Sequence, residues 1–283
     1  MNIARFNKIS VVQSLPPSDL HTGTRIGEDV ETYNLAYDRG LRIELLDAIT
    51  KDDFLGILKA LAEKAHYDAS YPVLHIEAHG SSDCQGIVLG SGEFISWAGL
   101  KPHLINLNIE TKLNLLIVLS LCHGAHFTMH LNPSDRAPCW GLVGPTRALT
   151  GPALLRSFSA FYREVFASGD AEPAIDRLNE SASDGDIDYY FTTATESFIN
   201  VYRKYIRSYC TEKSYGERAR LIRKQLKKKG ISNLPSIGRV RRGLRSTERD
   251  FFEKYRRKYF MVDLFPENEK RFRVSYSDVI RGQ

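Results

Sequence analysis

The hydrophobic pattern of the chain switches repeatedly between two periods. Short β-branched or alternating apolar runs at "KISVVQSL" (8–15), "LRIELLDAI" (41–49) and "YPVLHIEAHG" (71–80) predict strands. In "TKDDFLGILKALAEKAHYDA" (50–69), Phe54, Ile57, Leu58 and Leu61 recur at helical spacing behind Thr50 as N-cap, so a helix is predicted there. Segment 19–40 begins as a glycine-containing loop and ends as a polar helix stopped by Gly40. "GIVLGSGEFISW" (86–97) reads as a hairpin around Gly90-Ser91-Gly92, and 96–108 as a short helix. "KLNLLIVLSLC" (112–122) is the longest apolar run and predicts a central strand covered on both faces. Residues 125–148 read as loop, 149–169 and 172–182 as helices, and 188–198 as one more strand. Strands alternating with helices predict a three-layer α/β fold with a mostly parallel central sheet.

In such sheets a site lies beyond the carboxyl ends of the strands. Two predicted strand ends carry reactive groups: His79-Gly80, and Cys122 some 43 positions later. A cysteine attacks as its thiolate, and a nearby imidazole favours that form. Acyl transfer also needs donors for an oxyanion. Gly80 permits close approach of a backbone N–H just past the histidine, and the Cys122 N–H, in the turn toward Gly124, is the natural second donor. Three histidines follow the cysteine: His123, His126 and His130. His126 and His130, four apart, would share one α-helical face and suit zinc together with Cys122. Polar loop lining is the commoner role of such histidines, so no metal and no other cofactor is expected. Cys84 reads as a bystander in the loop after His79, and His75 as a packing residue behind it.

Composition narrows the class. The 283 residues are 42% hydrophobic and 26% charged, an ordinary globular balance. Four scattered cysteines without a CxxC pair are no disulfide framework and fit a reducing cytoplasm. No signal peptide is read at the start, and no apolar run is long enough for a membrane span. The net charge of +5 conceals an asymmetry: residues 203–258 hold 20 of the 39 Lys and Arg but only 5 of the 34 Asp and Glu. The chain is therefore expected to divide into a domain over residues 1–200 and a basic, mainly helical region over 201–283. That region's aromatics interleave with Lys and Arg, and Gly230, Pro235 and Gly238 break its helices. Such a surface would take an acidic protein segment or nucleic acid.

The succession "VLHIEAHG", "GIVLGSGEFISWAGL" and "LLIVLSLCHG" resembles the CHAT group of caspase-like cysteine proteases, relatives of caspases and separases. The likeness covers residues 70–180, including "FSAFYREVFASGDAEPAIDRLNE"; upstream, "TGTRIGEDVETYNLAYDRG" is similar to the caspase segment with Arg, Gly and Asp before its first helix. The resemblance implies a caspase-like endopeptidase of protein substrates. Cys122 and His79 would form its dyad, with the Gly80 and Cys122 amides as oxyanion donors. It further implies regulation by a protein partner in a bacterial defence or signalling system, antiviral defence included.

One departure bears on specificity. Metacaspases carry an acid two residues before the cysteine, where this chain has Ser120. Arg25, placed like the caspase arginine that reads an acidic P1 residue, makes acidic P1 one expectation; Asp83 or Glu77 would instead favour a basic one. Asp135-Arg136 is a candidate processing site. The rival reading is a non-catalytic caspase-like scaffold that binds an acidic protein or nucleic acid through its basic helices. A third is a metal-dependent hydrolase at the histidine cluster.

Overall fold

The computed structural model describes residues 6–169, 171–180 and 189–280. These fall into two compact units, divided between 130 and 131, 136 and 137, and 194 and 195; the short segment 131–136 belongs with the C-terminal unit.

The first unit opens with β1 (Lys8–Gln13), α1 (Thr22–Ala36), β2 (Arg42–Asp47), α2 (Lys51–Asp68) and β3 (Pro72–Glu77). β1 is buried along its whole length and pairs in parallel with both β2 and β3. Helix α1 begins earlier than the Gly-containing sequence suggests. Its first turn is held by the Gln13 side chain, which accepts the Thr24 N–H (3.0 Å). Gly23 makes this approach possible, since a Cβ there would lie 2.9 Å from Gln13 Oε1. Helix α2 starts where Thr50 predicts, with a reciprocal capping box between Thr50 and Asp53.

Beyond Glu77 the chain leaves this sheet. β4 (His79–Gly80), β5 (Gly86–Val88) and β6 (Phe94–Ser96) form a separate antiparallel sheet. The run 71–80 is thus two strands in two sheets rather than one. The cause is the turn after Gly80: the Ser81 hydroxyl accepts the Gln85 and Gly86 N–H groups (3.0 Å each), and the Ser81 N–H donates to the Gly86 carbonyl. α3 (Trp97–Glu110) follows, capped by Ser96, then β7 (Leu116–Ser120) and a 3-10 helix, Gly124–His130.

The expected loop 125–148 contains that 3-10 helix and a strand, β8 (Gly141–Pro145), buried throughout. "GLVGP" lacks the bulk that marks a strand because its neighbours supply it. A Cβ on Gly141 would lie 3.1 Å from Leu116 Cδ1 and 3.3 Å from the Phe191 ring. α4 (Gly151–Ser168), α5 (Ala171–Glu180) and β9 (Tyr189–Thr193) complete the unit. The predicted strand 188–198 turns helical at Ala194; residues 181–182 and 188 of the predicted elements lie outside the described residues.

The main sheet has the order β2-β1-β3-β7-β8-β9, parallel except for the edge pair β8–β9. The connection β1-α1-β2 runs one way along the sheet, and β2-α2-β3 and β3-α3-β7 run the other. Right-handed crossovers therefore put α1 on one face and α2 and α3 on the opposite face. The packing agrees: α1 lies against α4, and α2 against α3. The mostly parallel α/β sheet is as the sequence predicts.

The second unit is helical: α6 (Ala194–Tyr209), α7 (Glu212–Lys228), α8 (Ile237–Ser246), α9 (Glu248–Tyr259), α10 (Asn268–Arg271) and α11 (Tyr276–Ile280). Its core is aromatic. Phe198 lies 5.1 Å, ring to ring, from both Tyr259 and Phe260, and Tyr202 and Phe252 close the cluster. Arg256 is buried beside it and paired with Glu253 (2.9 Å) and Glu269 (2.5 Å). No residue of α8 is buried, so its four arginines stand on a surface. Among the described residues, no helix is long and apolar enough to cross a membrane.

Candidate active site

The last residues of four parallel strands form a polar row across the carboxyl edge of the main sheet. The register aligns Asp47 with Gln13, Gln13 with Glu77, and Glu77 with Ser120. Gln13 Nε2 donates to Asp47 (3.1 Å) and meets His21 Nδ1 at 2.9 Å. Glu77 is buried. One carboxylate oxygen accepts the Thr22 hydroxyl (2.7 Å) and the other meets His75 Nε2 (2.9 Å), while His75 Nδ1 meets the Tyr162 hydroxyl at 3.0 Å. Burial, reinforced by the Glu77 charge, pushes the Tyr162 phenol well above its ordinary range, so it stays protonated. This network ties β3 to α1 and α4 under the edge.

Above it the chain brings the predicted pair of strand ends together. Cys122 lies two residues past β7, half-buried, in the turn to the 3-10 helix. Its Sγ meets the Leu149 carbonyl at 3.4 Å. Gly80 is packed onto it: a Cβ at Gly80 would lie 1.9 Å from the Cys122 carbonyl oxygen and 3.1 Å from the Cys122 Cβ. Only glycine allows that approach. His79, immediately before, is half exposed, and its Nε2 meets the Asp19 carboxylate at 2.7 Å. Nδ1 of the same ring has no partner among the described residues. Sequence reasoning missed Asp19. It is 60 positions from His79 in a Pro-rich turn, and no spacing connects the two.

The predicted substrate contacts fall in different surroundings. Arg25, in the first turn of α1, is exposed and paired with Glu28 at 3.0 Å. Asp83 is exposed in the turn after His79, accepting the Ser81 hydroxyl (2.6 Å) and the Gln85 N–H (3.0 Å), and these bonds hold its carboxyl below the usual range. Glu77 orients an imidazole, that of His75 rather than His79; contact with a substrate side chain would require its buried network to open. Ser120 is buried, and its hydroxyl has no partner among the described residues. Arg136 of the candidate processing pair is held by both oxygens of Asp263 (2.7 and 2.6 Å), within the second unit.

The histidine cluster differs from the expected one in a physically definite way. His126 and His130 lie on a 3-10 helix, not an α-helix. With three residues per turn, positions i and i+3 align rather than i and i+4. His126 therefore does not share a face with His130; it lies beside His123, which precedes the helix with φ 60°, their ring centroids 5.4 Å apart, and the His126 N–H donates to the His123 carbonyl (2.9 Å). Burial, with the nearby charges of Lys101 and His126, lowers the basicity of His130. The third member of the group is Cys84, whose sulfur lies within 4.8 Å of ring nitrogens of His123 and His126. Cys139, by contrast, is fully buried, and burial pushes its thiol up to about 12, which removes it from thiolate chemistry.

A surface pocket between α2 and α3, lined by Lys59, His66, Tyr67 and Glu110, lies toward the end of α2. α2 leaves β2 at the carboxyl edge, so its C-terminal end approaches the opposite edge of the sheet, away from Cys122. No protein-family model matches the chain, and no curated protein matches it.

Proposed function

We propose that the first unit is a caspase-like cysteine endopeptidase, with Cys122 as nucleophile and His79 as its base. The observation that carries this reading is the contact of Gly80 with Cys122 at the carboxyl edge of a mostly parallel sheet. It joins the backbone of the histidine strand to that of the cysteine turn. His79 is accessible, and Asp19 holds one ring nitrogen, which fixes the ring and leaves Nδ1 for the thiol proton.

In the proposed reaction Nδ1 takes the Cys122 proton and the thiolate sulfur attacks the scissile carbonyl carbon. The carbonyl π electrons move to oxygen, which the Gly80 and Cys122 N–H groups stabilise. Ser81 already spends its N–H on Gly86, so alternation along the β4–β5 ladder leaves the Gly80 N–H on the side away from β5. The intermediate collapses, the C–N bond breaks, and the amine leaves with the proton from His79. Water, deprotonated by His79, then attacks the thioester, releasing the acid and restoring the thiol. The substrate is a protein. In keeping with the resemblance, a regulatory protein of a bacterial defence or signalling system governs the activity.

The test is incubation of wild type and Cys122→Ala with candidate partner proteins, with mass spectrometry of new N-termini. Cleavage by wild type alone supports the mechanism; equal cleavage by both proteins refutes it. The scaffold reading draws on the arginines of α8, of which Arg239 and Arg242 are exposed while Arg241 and Arg245 pair with Glu212. It predicts salt-dependent binding of an acidic peptide or nucleic acid that Cys122→Ala leaves unchanged.

A further inference from the structure

We propose that Cys84, His123 and His126 form a three-ligand site for a thiophilic divalent cation, zinc first. It would join the turn after His79-Gly80 to the turn after Cys122. The proposal concerns metal binding and does not rest on the peptidase reading.

The donor set selects the metal. One thiol and two imidazoles suit zinc, and exclude the hard, oxygen-seeking calcium and magnesium. The three donor atoms lie within 4.8 Å of one another. Bonds of about 2.0–2.3 Å in a tetrahedral shell put donors about 3.5 Å apart. Side-chain rotations that close the group by roughly 1 Å therefore complete the shell, with a fourth position left for water. The rings of His123 and His126 stand at 78° to each other. His123 Nδ1 is buried without a hydrogen-bond partner among the described residues. A buried nitrogen in that state is costly, and coordination through it would satisfy it.

The backbone holds two of the ligands in place at a cost. Cys84 and His123 both have φ of 60°, the left-handed region that residues other than glycine seldom occupy, histidine more readily than cysteine. Each is pinned there. The Cys84 N–H donates to Ser81 O (2.9 Å), and its carbonyl accepts the Trp97 indole N–H (2.9 Å). The His123 N–H donates to Arg147 O (3.1 Å), and its carbonyl accepts from His126. Beneath them, buried Trp97 packs edge-on against Phe127, the neighbour of His126 (5.6 Å). Both turns thus touch one aromatic pair, which holds their backbones in place and leaves only side-chain rotation to complete the site. Cys122 and His130, the other candidates by sequence, fall outside the group.

The experiment uses the untagged full chain, stripped with a chelator and desalted, then titrated with cobalt(II). The expected result is saturation at one equivalent, with tetrahedral visible bands and a thiolate-to-cobalt band in the near ultraviolet. Zinc should bleach both, and zinc should raise the melting temperature by about 5 °C. Cys84→Ser should abolish the thiolate band and weaken binding at least tenfold, and His126→Ala should weaken it similarly, both with the metal-free melting temperature of wild type. Cys122→Ala should retain every signal. Absence of a one-equivalent site would overturn the proposal. So would a thiolate band that survives Cys84→Ser and vanishes in Cys122→Ala, which would move the metal to the nucleophile. If Cys84→Ser does not fold, His126→Ala decides alone, and unchanged affinity there refutes the site.

Discussion

Two histidines four residues apart, His75 and His79, each meet a carboxylate, yet their surroundings give them opposite uses. His75 is completely buried on β3, with both ring nitrogens committed, one to Glu77 and one to the Tyr162 hydroxyl. Its ring can move no proton to a substrate, because no substrate reaches it. His79 has left the sheet, is half exposed, and has one nitrogen on Asp19 and the other free among the described residues. An imidazole–carboxylate pair is therefore a brace when sealed and a candidate catalyst when the ring is accessible and one nitrogen stays open. The strand interruption at Ala78, between β3 and β4, separates the two roles.

The largest effects should come from exchanging the two histidines for alanine. On the peptidase reading, His79→Ala should lower kcat/KM at least 1000-fold, since base and nucleophile act as a unit, while the melting temperature stays near that of wild type. His75→Ala should do the reverse in stability. It leaves the buried Glu77 carboxylate short of a partner, a loss of about 3–5 kcal/mol, or on the order of 10 °C in melting temperature. A His79→Ala protein that melts as early as His75→Ala would break the comparison.

Asp19→Asn should act more mildly. An asparagine keeps the shape but offers either an amide oxygen or an amide N–H to His79 Nε2, so the ring orientation and tautomer loosen. The expected loss is about 10- to 100-fold in kcat with KM unchanged, below that of a fully enclosed orienting acid because this pair is partly exposed. A rise in KM alone would show Asp19 to contact substrate rather than position the ring.

How much of this was legible follows from where each signal lives. Phe54, Leu58 and Leu61 of α2 are buried as their spacing requires, with Ile57 of the same set only partly so, and Thr50 caps the helix, because periodicity and capping are local. Cys122 could be read as lying just past a strand end for the same reason, whereas the main-sheet strand before His79 ends at Glu77 and His79-Gly80 starts a second sheet. β8 could not, because Gly141 and Gly144 are small to fit residues distant in sequence. Asp19 could not, since its bond to His79 exists only after folding. The proposed metal group was not legible either: His126 and His130 share a face only on an α-helix, the segment folds as a 3-10 helix, and the grouping of His123 and His126 with Cys84 depends on a left-handed turn at His123 and on a loop 39 positions upstream.

A third carboxylate pair, Arg136 with Asp263, calibrates the low end of the comparison. It lies in the second unit, with the Asp263 side chain 45% exposed. Its hydrogen bond to Arg136, opposed by partial burial, holds the Asp263 carboxyl below the usual range. A carboxylate with a lowered folded pKa adds stability that is fully present above its unfolded value of about 3.9 and is lost as pH falls through the folded value. Wild type should therefore lose slightly more stability than Asp263→Asn between pH 6 and pH 3. The difference should stay below about 1 kcal/mol and shrink in high salt, as for an exposed pair. Melting curves of both proteins at the two pH values, with and without added salt, measure it. A larger, salt-insensitive difference would place this pair with Glu77 and His75 as a sealed brace, and exposure alone would no longer separate braces from accessible pairs.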